Sequence, residues 1–97
     1  MLSVQQIKDT VTDYFKDKPV KSVYLFGSYA RGDANEDSDV DLGIEMEETR
    51  MSLWQYAGMA LGLENALDKK IDLIEIKLMH SWVKRNFEKD KMEIYHV

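Results

Sequence analysis

The sequence predicts an α/β (α+β) fold in which a small mixed β-sheet carries helices packed on it. Three observations lead there. The apolar runs Val23-Tyr24-Leu25-Phe26, Val40-Asp41-Leu42-Gly43-Ile44 and Ile71-Asp72-Leu73-Ile74 have the length and composition of strands. Around them lie segments whose apolar residues recur at helical spacing. No repeat, low-complexity tract or linker interrupts the chain, so 1–97 reads as a single domain of alternating strands and helices.

Each element has a local reason. Ser3-Val4-Gln5-Gln6 has the Ser-x-x-Gln form of a capping box and opens the first helix. Val4, Ile7, Val11, Tyr14 and Phe15 give that helix one buried stripe. Pro19, the only proline, stands between helix and strand, where its missing N–H does no harm. The first strand covers Ser22 to Phe26. Ser28 can cap a short helical turn through Arg31, with Gly32 available for a left-handed exit. Asp33 to Ser38 is a polar loop, and the second strand runs from Asp39 to Glu45. A long helix follows from near Ser52 to Leu67, then a third strand from Lys70 to Ile76. A helix from Met79 to Glu88 and a short strand from Met92 to Val97 close the chain.

Composition narrows the class. With 97 residues, 44% hydrophobic and 32% charged, the chain is an ordinary small globular domain. It has no cysteine, hence no disulfide framework and no thiolate metal site. No signal-peptide pattern opens it, and nothing approaches the ~20 apolar residues of a membrane helix. A cytoplasmic protein is expected. The net charge of −5 argues against direct nucleic-acid binding, which normally needs a basic face.

The chemistry is concentrated in three places. Side chains alternate along a strand, so Asp39 and Asp41 point one way while Val40, Leu42 and Ile44 point into the core. Two carboxylates converging on one volume raise each other's pKa, and a magnesium ion with substrate phosphates removes that conflict. A solvated strand end is the ordinary alternative for such a pair. Gly27 lets a ligand approach the backbone closely, and Ser28 lies at a helix N-terminus suited to anions. Asp72, an acid within an otherwise apolar strand, can supply the third carboxylate that a two-metal site needs. Together these residues suggest a metal-dependent enzyme acting on nucleoside triphosphates. Arg31 can reach a phosphate, or else pair with Asp33 or Glu36 at the surface. Asp33, Asn35, Asp37 and Asp39 imitate the start of a calcium loop. The imitation fails at Ser38, where glycine is required, and at Ile44, where the final glutamate belongs.

The long helix is apolar around well over half its circumference, through Leu53, Trp54, Tyr56, Ala57, Ala60, Leu61, Leu63 and Leu67. A large core contact explains this, or Tyr56, Met59 and Leu63 extend an apolar edge toward a partner. Glu64, near the middle of the apolar arc, is expected to have a buried partner such as Arg31 or a lysine. Leu78, Trp82, Val83 and Phe87 read as core of the next helix. His80 and His96 show no ligand spacing. Lys84, Arg85, Lys89 and Lys91 form a modest basic cluster, either a solvated face or a site for an acidic partner.

Val23 through Leu42, reading VYLFGSYARGDANEDSDVDL, resembles the signature of the polymerase-beta-like nucleotidyltransferase superfamily. The short length, the Ile71-Asp72-Leu73-Ile74 strand and the tail from Asn86 to Val97 resemble its minimal nucleotidyltransferase (MNT) branch. The resemblance implies the nucleotidyltransferase fold, Gly27 and Ser28 on the triphosphate, and Asp39, Asp41 and Asp72 as catalytic ligands of two Mg²⁺ ions. It further implies ATP as donor of AMP to a hydroxyl of a partner protein. That partner would be a small helical HEPN protein, with this chain the antitoxin of a toxin–antitoxin pair. Two alternatives are a non-catalytic module that neutralises a HEPN partner by occlusion and a small-molecule nucleotidyltransferase that needs a second subunit. The acceptor is then expected from a second polypeptide or from dimerisation, a homo- or hetero-oligomer, because the chain lacks the length for the extra helical domain of larger relatives. One departure is Asp68, where many members end the preceding helix with glycine.

Overall fold

The computed structural model describes residues 1–47 and 52–97. Helix α1 (Val4–Phe15) leads to strand β1 (Val20–Phe26), the short helix α2 (Ser28–Arg31) and strand β2 (Val40–Met46). Helix α3 (Leu53–Leu67), strand β3 (Ile71–Glu75), helix α4 (Ser81–Asp90) and strand β4 (Met92–His96) follow. The sheet is mixed, in the order β3-β2-β1-β4, with β1 antiparallel to β2 and β4, and β2 parallel to β3.

The capping box expected at α1 forms, and α3 has a second one. Ser3 and Gln6 exchange bonds at the start of α1, and Ser52 and Gln55 do the same at α3. Ile7, Val11 and Phe15 of α1 and Met59, Leu63 and Leu67 of α3 pack on one face of the sheet. They meet Val23, Leu25, Val40, Leu42, Ile44, Ile71, Leu73 and Ile94, all buried. On the opposite face α4 contributes Phe87, whose ring stands edge-on to Tyr24 and Phe26 at 5.7 and 5.3 Å between centroids. The close approach depends on Gly43, since a Cβ there would lie 2.8 Å from the Phe87 ring. Three layers result, helices on both sides of one sheet.

The structure differs from the sequence reading in several places. β1 starts at Val20 rather than Ser22, because Val20 pairs with Met46 before a register shift. A 3₁₀ turn (Ile76–Leu78) separates β3 from α4 and delays that helix to Ser81. Leu78 and Trp82 are exposed, so of the four apolar residues assigned to the core only Phe87 is fully buried. On α3, Met59 and Leu63 lie in the core, and the Tyr56 hydroxyl donates to the Leu73 carbonyl. The exposed apolar residues are instead Leu53, Trp54 (87% exposed) and Leu61. Among the described residues Glu64 pairs with no cation. Its carboxylate accepts the Ile71 N–H at 3.1 Å and so fixes the first residue of β3. Asp68 adopts the left-handed conformation that glycine usually supplies, with φ 51°, and its N–H donates to the Glu64 carbonyl.

Candidate active site

The site lies where β1 ends and β2 and β3 begin. Phe26, the last residue of β1, pairs with Asp41 of β2, and Asp41 stands in register with Asp72 of β3. A backbone bond from the Val40 N–H to the Lys70 carbonyl, 3.0 Å, holds the two strand starts level. Alternation then works as the sequence requires. Val40, Leu42 and Ile44 are sealed in the core, while Asp41 and Asp72 emerge on the other face, ahead of the area covered by α4.

The turn after β1 is shaped by its glycine. Gly27 has φ 75° and ψ −152°, a region open to glycine alone, and a Cβ there would overlap the Asp41 carboxylate. The Gly27 carbonyl accepts the Arg31 N–H at 3.0 Å, which closes α2. Gly27 is therefore the capping residue, and Ser28 begins the helix instead of capping it. The Ser28 hydroxyl makes no hydrogen bond among the described residues. Gly32 takes the left-handed exit with φ 85°.

The electrostatics are those of crowded acids. Partial burial, then the charge and hydrogen bonding of Asp72, then the charge of Asp39, push the Asp41 carboxyl up to about 6. Arg31 opposes that rise. Asp39 sits at the mouth, 3.9 Å from the Lys70 ammonium. Arg31 Nε bonds Asp33 at 3.2 Å, and its Nη1 bonds Asp90 at 2.9 Å. The polar loop closes on itself, for Asn35 Oδ1 accepts the Asp37 N–H and Ser38 Oγ accepts the Asn35 N–H.

Gly27, Ser28, Arg31, Asp39, Asp41 and Asp72 thus fall in one neighbourhood. Among the described residues, no three acidic or histidine side chains stand at metal-binding spacing. The donor chemistry still suits a hard divalent cation, because Asp41 and Asp72 are adjacent oxygen donors whose repulsion a cation would relieve. Lys70 and Asp90 were not anticipated. Lys70 could have been suspected from the parallel pairing, but Asp90 lies 59 residues from Arg31 and carries no local signal.

Residues 4–95 match the nucleotidyltransferase domain family. The chain belongs to that family. A Methanocaldococcus jannaschii protein provisionally named a protein adenylyltransferase, MJ1379, is 40% identical over 93% of this chain and 96% of its own length. The protein adenylyltransferase MntA of Thermococcus cleftensis is 36% identical over 76% of this chain and 78% of its own. Among solved structures, a toxin–antitoxin with AMP-PNP superposes with a TM-score of 0.79, at 20% identity, over 93% of this chain and 73% of that one. The MNT antitoxin in complex with a tri-AMPylated HEPN toxin from Shewanella oneidensis gives 0.73, at 18% identity, over 96% and 72%. At those identities the two structures speak for the fold. No helix among the described residues is long and apolar enough to cross a membrane.

Proposed function

We propose that this nucleotidyltransferase is a protein adenylyltransferase that moves AMP from ATP to a hydroxyl of a small HEPN partner, as the antitoxin of a toxin–antitoxin pair. The observation that carries the reading is the Asp41–Asp72 pairing directly beside the Gly27-Ser28 turn. Support comes also from the relatives named protein adenylyltransferases and from the fold shared with an MNT antitoxin bound to an AMPylated HEPN toxin. The cytoplasm, where ATP and Mg²⁺ are abundant, is the compartment this activity needs.

Asp39, Asp41 and Asp72 would hold two Mg²⁺ ions, which supply charge neutralisation for the entering and leaving oxygens. Gly27 leaves room for the triphosphate, and Ser28 and Arg31 donate hydrogen bonds to it. Asp72 accepts the proton of the acceptor hydroxyl as that oxygen forms its bond to the α-phosphorus. The bond from the α-phosphorus to the bridging oxygen breaks, and pyrophosphate leaves.

The test is label transfer from α-phosphate-labelled ATP, with Mg²⁺ and lysate of the host, using wild type, Asp41→Asn and Asp72→Asn. A labelled protein band with wild type is expected, reduced about a hundredfold or more in either variant. Equal labelling by folded Asp41→Asn would remove the assignment. The exposed Leu53, Trp54 and Leu61 favour one second reading, neutralisation by docking alone. It predicts that Asp41→Asn still binds and silences the partner.

A further inference from the structure

Asp90 is the last residue of α4, a position where the helix dipole disfavours a carboxylate. It is also withdrawn from water, with its side chain only 8% exposed. A buried acid at that end of a helix needs a compensating cation, and Arg31 supplies one through Nη1 at 2.9 Å. Asp33 engages Nε of the same guanidinium at 3.2 Å. Nη2 and its two N–H groups have no acceptor among the described residues. Asp33 thus holds the guanidinium at Nε and Asp90 holds it at Nη1, with Nη2 left free between them, and its charge reaches Asp41.

We infer that Asp90 is a positioning residue: it holds Arg31 so that the free Nη2 of the guanidinium meets the triphosphate beside Asp41. The inference rests on the nucleotidyl-transfer reading above. Arg31 stands on a helix of only four residues and its side chain is 45% exposed, so without a tether the long arm would sample many rotamers. Asp33, itself exposed and adjacent in sequence, is a weak tether. The buried Asp90 is the strong one, and it links the phosphate turn to α4, which covers the face of the sheet from which Asp41 emerges. A purely structural tie between α2 and α4 would leave nucleotide affinity untouched once the protein is folded.

The experiment is calorimetric titration of ATP with Mg²⁺ into wild type, Asp90→Asn, Arg31→Ala and the double variant, alongside transfer kinetics and thermal melts. Asp90→Asn is expected to weaken ATP binding about tenfold and raise KM with a smaller change in kcat. The double variant should bind no more weakly than Arg31→Ala alone, the signature of residues acting as one unit. Asp90→Glu keeps the charge and should lie between wild type and Asp90→Asn; it carries the test if the asparagine variant does not fold. Wild-type affinity in folded Asp90→Asn, or losses that simply add to those of Arg31→Ala, would overturn the inference alone. A wild type that binds no ATP would overturn the nucleotidyl-transfer reading and this inference with it.

Discussion

The two sides of strand β2 are built to opposite rules. On one side Val40, Leu42 and Ile44 are fully buried against α1 and α3, with Leu42 facing Leu25 and Leu73 across the sheet. On the other, Asp41 confronts Asp72, and two residues later the strand offers only Gly43 beneath Phe87. One side is closed and apolar. The other begins with like charges that repel and ends with a missing side chain that admits α4. Because strand residues alternate faces, a single segment serves both stability and chemistry without either side chain set touching the other.

The comparison can be broken from either side. Leu42→Ala should have the largest effect, a loss of about 2–5 kcal/mol in urea unfolding, because a fully buried side chain leaves a cavity in a small core. A loss below about 1 kcal/mol would mean the closed side is less well packed than its burial implies. Gly43→Ala comes next. The added methyl meets the Phe87 ring, so α4 must shift, and about 1–3 kcal/mol should be lost. Its ATP affinity should fall as well if Asp90, on the same helix, sets Arg31; Leu42→Ala should leave the affinity of folded protein near wild type.

The smallest change lies outside the strand. Asp68 occupies a left-handed position at the C-terminus of α3, where both its Cβ and its charge are unfavourable. Asp68→Gly should stabilise by about 1 kcal/mol, read as a higher urea midpoint, without affecting transfer. A lower midpoint would show that the aspartate side chain makes a stabilising contact there.

Much of this was legible in the sequence because it is governed by local rules. Alternation placed Val40, Leu42 and Ile44 inward and the acids outward; the Ser-x-x-Gln spacing placed the capping box of α1; Gly32 marked the left-handed exit from α2. What escaped depends on contacts between distant segments. Glu64 reads as an acid in need of a cation, yet its partner is the backbone N–H of Ile71 in β3, the edge strand of the sheet among the described residues. Leu78 and Trp82 have core-like character, but Leu78 ends the 3₁₀ turn and Trp82 follows it at the start of α4, where both are exposed. Arg31 reads as a phosphate ligand or as a surface partner of Asp33 or Glu36, and its bond to Asp90 depends on α4 packing onto the sheet at Gly43.

The central claim is that the acid side of β2 sacrifices stability for function, and its electrostatics give a direct test. In metal-free protein the folded-state pKa of Asp41 is raised from 3.8 to about 6, by burial first and by Asp72 and Asp39 after it. The folded protein therefore holds a proton that the unfolded chain has released, and the resulting stability is full below about pH 4 and is lost as pH rises through 6. Asp41→Asn removes that loss. The decisive measurement is the thermal midpoint of wild type and Asp41→Asn in chelator, at pH 4 and pH 7. The account predicts a higher midpoint for Asp41→Asn at pH 7, corresponding to a stability gain on the order of 1 kcal/mol after allowance for solvent screening, with the advantage shrinking at pH 4. A variant less stable than wild type at pH 7 would contradict it, since Asp41 would then be a structural residue and the two sides of the strand would not differ in purpose.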